Sequence, residues 1–152
     1  MGTIALVLVA TLSIGFNEEV VTRGMLLVGL RNDSVSEWKV YVITLVVFSL
    51  LHLINLFAGG NITEIIVQFA GGTIFYVARR VSNALIVPIV MHAFYDFAFV
   101  LLDGPYLVSE DLPSGVLDIH LASFLILFSL FILFVIFGRN LLKNETTGWQ
   151  QG

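Results

Sequence analysis

The chain has 152 residues, of which 58% are hydrophobic and only 12% charged, with 13 Phe and a mean hydropathy of +0.98. A charge share about half that of a soluble domain points to a small integral membrane bundle, and seven Lys/Arg scattered over several loops at a net charge of −4 give no basic face for nucleic acid. The absence of Cys excludes disulfides, a thiolate nucleophile and a Cys-ligated metal.

In chain order, residues 3–30 read as one long helix, tilted or kinked, with Glu18, Glu19 and Arg23 in its middle; a span followed by a separate surface helix is the alternative. Apolar runs follow at 38–58, 62–78, 83–102 and 119–137, each long enough to cross a hydrocarbon core of about 30 Å. The expected fold is therefore an all-α integral membrane protein with a bundle of about five transmembrane helices. Residues 1–143 form one domain and 144–152 a polar tail. Arg31 and Lys39 flank the first connection, Arg79 and Arg80 the third, and Arg139 and Lys143 follow the last span, whereas residues 59–61 and 103–118 contain no Lys or Arg. The positive-inside rule then sets the N-terminus outside and the C-terminus inside.

Three ionisable residues share one depth. Glu18 precedes Arg31 by 13 residues, His52 follows Lys39 by 13, and His92 follows Arg80 by 12. At about 1.5 Å per helical residue, each lies roughly 18–20 Å from the basic side. Such groups read by default as a functional site. Glu18, Glu19 and Asp96 would each cost about 2.5–3.5 kcal/mol if ionised at a helix centre, so they must be paired, protonated or hydrated. Glu19 and Arg23, four apart, read as a structural ion pair. Asp96 stands four after His92 and could accept the imidazole N–H and fix its tautomer. Pro88, one turn before His92, is expected to free the Ala84 carbonyl and bend the helix. Phe48, His52 and Asn55 share a stripe. In this arrangement Glu18 would act as general base on a water shared with His52, and His92 would stabilise the oxyanion. Alternatively, Glu18, His52 and His92 could ligate zinc and leave one position open. Glu64 and Gln68 read as structural polar contacts, His120 as a wetted boundary residue, and Gly71, Gly72 and Ala78 as close-packing positions.

The segment Glu18-Glu19-Val20-Val21-Thr22-Arg23 resembles the EExxxR motif of the CAAX-protease and bacteriocin-processing (CPBP, or Abi) family of intramembrane proteases. Phe48–His52 resembles its FxxxH motif, and His92–Asp96 its HxxxN/D motif; the likeness extends over about residues 14–100. It implies hydrolysis of a peptide bond within the membrane. Glu18 and His52 would activate water, His92 and residue 96 would stabilise the oxyanion, and Glu19 and Arg23 would support the first motif. It also implies a membrane-associated substrate, prenylated or bacteriocin-like, and a bacterial or archaeal cell membrane. The chemistry is either metal-free glutamate type or zinc-dependent. The chain departs from the family in carrying Asp at residue 96, where many members have Asn, and an ionised Asp has no proton to donate. Only 17 residues precede the first motif, which suggests a minimal or N-terminally shortened member. The competing readings are a non-catalytic scaffold or bacteriocin-immunity protein, a proton- or ion-handling bundle using Glu18 and Asp96, and a haem site between His52 and His92.

Overall fold

A computed structural model describes residues 2–57, 62–103 and 129, and among these every regular element is helical. Residues 2–32 form one continuous rod: α1 (Gly2–Glu19), a π-helical segment (Val20–Leu26) and α2 (Leu27–Asn32). Glu19, Leu26 and Leu27 keep right-handed helical dihedrals at the two joints, so the charged middle does not end the helix and no separate surface helix follows. The expected irregularity takes the form of the wider π turn. Within it the Thr22 hydroxyl donates to the Glu18 carbonyl at 2.6 Å.

The rod ends in a reversal suited to its residues. Ser34 takes a left-handed φ of 59°, and Val35 N–H donates back to the Leu30 carbonyl at 3.0 Å, closing the helix end in a Schellman arrangement. Next come α3 (Glu37–Leu51), α4 (Leu53–Phe57), α5 (Ile62–Ser82) and α6 (Ile86–Asp103). Asn83, with φ 57°, ends α5, so α6 starts at Ile86 and not at residue 83 as its apolar run suggested. Pro88 consequently lies in the first turn of α6, where its missing N–H has no intrahelical acceptor to lose. The Ala84 carbonyl it was expected to orphan accepts the Ser82 hydroxyl at 3.1 Å. The expected bend at the site is replaced by an unbroken helix through His92.

α1 lies along α6, α6 against α5, and α5 against α3; α3 then returns to the π segment and α2, closing a ring. The α1–α6 approach depends on Gly15, where a Cβ would stand 2.9 Å from the Ala93 backbone nitrogen. At one end of the ring, Leu27, Val40, Tyr41, Leu45 and Tyr76 form an apolar cluster. Beside it, Glu37 ties three elements together. It pairs with Arg31 of α2, pairs with Arg80 of α5 at 2.8 Å, and accepts the Tyr76 hydroxyl. The first connection and the end of α5, the two basic regions, therefore lie at the same end.

The interior mixes apolar with polar side chains, while many large apolar ones lie on the outside. Thr11, Glu19, Thr22, Arg23, Thr44, Ser49, Thr73 and His92 are buried, while Leu6, Met25, Ile54, Phe57 and Val81 are exposed. Among the described residues, two helices, Ile4–Asn32 and Glu37–Asn55, are long and apolar enough to cross a membrane, and Ile86–Val100 is apolar but shorter. The molecule has the make-up of a helical membrane protein, with polar groups gathered inside and many apolar side chains turned outward. The connections at 59–61 and 104–118, the expected last span at 119–137 with His120, and the polar tail lie outside the described residues, as does the Glu64 side chain.

Candidate active site

The polar interior is organised around Glu19, from the first rod. Its Oε1 accepts Arg23 Nη1–H at 2.8 Å and His92 Nδ1–H at 2.9 Å, and its side chain is fully buried. Arg23 also donates to Thr22 Oγ1 at 2.9 Å and, through Nη2, to the Gly72 carbonyl at 2.8 Å. Its guanidinium lies 4.2 Å from the Phe48 ring centroid. Gly72 permits this contact because a Cβ there would stand 2.9 Å from both Leu45 and Phe48 and 3.3 Å from Arg23 Nη2. Arg23 thus joins α3, α5 and the π segment with a fork geometry that a lysine lacks.

The expected Glu19–Arg23 ion pair is present, but Glu19 also takes the part assigned to Asp96. The tautomer of His92 is set by the Nδ1–H···Glu19 bond, while Asp96 Oδ2 lies 3.5 Å from the opposite nitrogen, Nε2. Spacing along α6 placed Asp96 within reach of the ring. Only the packing of α1 against α6 brings Glu19, 73 residues away, to the better-placed nitrogen. The imidazole is clamped from both sides: Phe75 stacks on it at 4.6 Å between centroids and 19° between planes, and Phe48 meets it edge-on at 5.7 Å.

His52 is held by a different device. α3 ends at Leu51, and the His52 N–H turns to the Ser49 carbonyl at 3.2 Å instead of completing another α-helical bond to Phe48. The Phe48 carbonyl then accepts the His52 ring Nδ1–H at 3.0 Å. Both histidines therefore commit Nδ1 to an oxygen and turn Nε2 toward Glu18. Glu18 Oε2 lies 3.6 Å from His52 Nε2 and 3.8 Å from His92 Nε2, and this buried oxygen makes no hydrogen bond among the described residues. Glu18 and Asp96 keep 24% and 23% of their side-chain surface open, against 3% for His92 and 1% for Arg23, so the carboxylates form the accessible edge of the site.

The structure thus brings Glu18, Glu19, Arg23, Phe48, His52, His92 and Asp96 together. Asn55 is exposed on α4, beyond His52, and Gln68 is half-buried on α5. Thr22, Phe75 and the carbonyls of Phe48 and Gly72 were not evident from the sequence; the only signal for any of them was the Gly71-Gly72 pair, read as close packing. Among the described residues, no group of three or more His, Asp or Glu is preassembled around a metal position.

A family model described as type II CAAX prenyl endopeptidase, Rce1-like, matches residues 1–98, a stretch that contains every residue of this site. No curated protein and no solved structure matches the chain.

Proposed function

Because the chain belongs to the Rce1-like family of type II CAAX prenyl endopeptidases, we propose that it is an intramembrane endopeptidase that hydrolyses a peptide bond of a lipidated or otherwise membrane-associated substrate with a water activated by Glu18 and His52. The observation that carries this reading is the convergence of Glu18 Oε2 with two Nε2 atoms at 3.6 and 3.8 Å. Those distances are too long for direct N–H···O bonds, and a water oxygen beside them comes within reach of the carboxylate and an imidazole together.

In the first step Glu18 takes a proton from the water while the oxygen attacks the scissile carbonyl carbon, and the carbonyl π pair moves to oxygen. His52 Nε2, unprotonated because Nδ1–H is committed to Phe48, accepts the second water hydrogen and orients the nucleophile. His92 faces the developing oxyanion with Nε2. Since its Nδ1–H already serves Glu19, it donates to the oxyanion when Nε2 also carries a proton, and the Glu19 and Asp96 carboxylates on either side compensate that charge. Asp96 is thus a counter-charge to His92 and not itself an oxyanion donor. Collapse of the intermediate breaks the C–N bond, and the leaving amine takes the proton from Glu18.

The proposed topology has five spans, with the Arg31, Lys39, Arg79 and Arg80 end in the cytoplasm. The location of Arg31, Glu37 and Arg80 at one end supports it.

The test measures turnover of a fluorogenic peptide ending in prenyl-Cys-Val-Ile-Met by the full chain in lipid nanodiscs. Glu18→Gln, His52→Ala and His92→Ala are each expected to lose about 10²–10⁴-fold in kcat with unchanged thermal unfolding. Full turnover in all three would reject the assignment. A chelator is expected to leave wild-type activity intact, and loss of activity reversed by added zinc would overturn the metal-free mechanism.

A further inference from the structure

We infer that Asn55 binds the main chain of the substrate about two residues from the scissile bond, on the side away from the basic end of the bundle. This inference rests on the endopeptidase reading above. Asn55 belongs to the short helix α4, which continues beyond the break at His52. Its backbone N–H donates to the His52 carbonyl at 3.0 Å, an i→i+3 bond that stacks residue 55 over residue 52 as in a 3₁₀ turn. The Asn55 side chain therefore follows His52 on the same line, roughly 6 Å further along the chain axis.

Three observations make this amide a ligand-binding group and not a packing residue. It is exposed, it has no hydrogen-bond partner among the described residues, and it is the last residue of a segment apolar enough to span a membrane. An occupant that shields this amide from water must replace the hydrogen bonds that water supplies. Its neighbours Ile54 and Phe57 are 71% and 92% exposed, so nothing within the described fold covers this edge. The site at the start of this turn is itself open, since Glu18 and Asp96, which face His52 and His92, retain about a quarter of their side-chain surface.

The chemistry of the group selects the occupant. A primary amide presents a donor and an acceptor side by side, which match the C=O and N–H of an extended peptide. An extended chain advances about 3.3 Å per residue, so an offset of about 6 Å corresponds to about two residues. Recognition of this kind reads the backbone and leaves the side-chain sequence free.

The experiment uses the full chain in nanodiscs and the same fluorogenic prenyl-Cys-Val-Ile-Met peptide, unmodified or N-methylated in turn at each amide flanking the scissile bond. kcat and KM are measured for wild type, Asn55→Leu and Asn55→Gln, and Kd is measured on Glu18→Gln with and without Asn55→Leu. Asn55→Leu is expected to raise KM and Kd about tenfold while kcat stays within about threefold, and Asn55→Gln to recover part of the loss. One N-methylated peptide should lose the same factor on wild type and nothing further on Asn55→Leu. Unchanged KM and Kd in Asn55→Leu, or equal N-methyl penalties on both proteins at every position, would overturn the inference. The N-methyl series on wild type still decides it if Asn55→Leu does not fold, a position-specific loss of binding supporting it and none refuting it. If wild type binds the peptide but does not cleave it, the endopeptidase reading fails while Kd still judges Asn55; absence of binding overturns both.

Discussion

Arg23 carries the charge balance of the interior. Among the described residues it is the sole guanidinium in the buried cluster that holds Glu19 and His92, and it meets Glu19, Thr22 and Gly72 with separate N–H groups. Removing one partner of such a pair leaves the other charged and buried, which is why Arg23→Met is expected to cost about 3–5 kcal/mol. Thermal unfolding in detergent should show the double variant Glu19→Gln/Arg23→Met to be less damaged than Arg23→Met alone. Arg23→Lys should not restore stability, because one ammonium cannot span Glu19 and the Gly72 carbonyl as the fork does. At this scale the charged residues were legible in the sequence, since an ionisable group inside an apolar run stands out. Their partners were not. The acceptor for His92 Nδ1 is Glu19 and not Asp96, because helix spacing describes neighbours on one helix and says nothing of the helix packed against it.

Two elements hold the site in register, and each can be tested by a small substitution. Gly15 lets α1 close on α6. A Cβ there meets the Ala93 nitrogen at 2.9 Å and the Ile89 carbonyl at 3.1 Å, backbone atoms that cannot rotate away. Gly15→Ala is expected to lose about 1–3 kcal/mol and to slow turnover, because Glu18 and Glu19 follow one turn later on the same helix. Gly29, also helical but with open space around a Cβ, is the control: Gly29→Ala should be neutral or gain up to about 1 kcal/mol. At the other end, Glu37 joins α2, α3 and α5 through Arg31, Arg80 and Tyr76. Glu37→Gln should lower the thermal midpoint, at a cost of roughly 3 kcal/mol, since it leaves two arginines around a neutral amide. The long first helix was legible from its apolar run. Its π turn was not, because the apolar pattern does not distinguish a π turn from the α-helix on either side. The start of α6 was misplaced because apolar residues run through Ala84 and Leu85 without interruption, while the left-handed Asn83 delays the helix to Ile86.

For the whole molecule, the ring of helices turns apolar side chains outward and encloses a small set of polar ones. The matched depth of Glu18, His52 and His92 follows from the basic end that each helix shares, where the first rod finishes and α3 and α6 begin, and Glu37 draws those ends together. The proposed orientation predicts that a reporter fused after residue 152 reads as cytoplasmic, while one inserted at residue 60 reads as external; the opposite pair of readings would invert the bundle.

Sequence alone determined the helical class, the membrane character and the identity of the charged residues. Apolar runs of span length can satisfy their backbone only as helices, and charges among them are too costly to be incidental. Tertiary structure decided which oxygen each imidazole uses, which carboxylate remains open and which aromatic ring holds His92. His52 takes its oxygen from Phe48 one turn back, but the His92–Glu19 bond joins groups 73 residues apart and the Arg23–Gly72 bond groups 49 apart, brought within 2.9 and 2.8 Å by packing that no local spacing encodes.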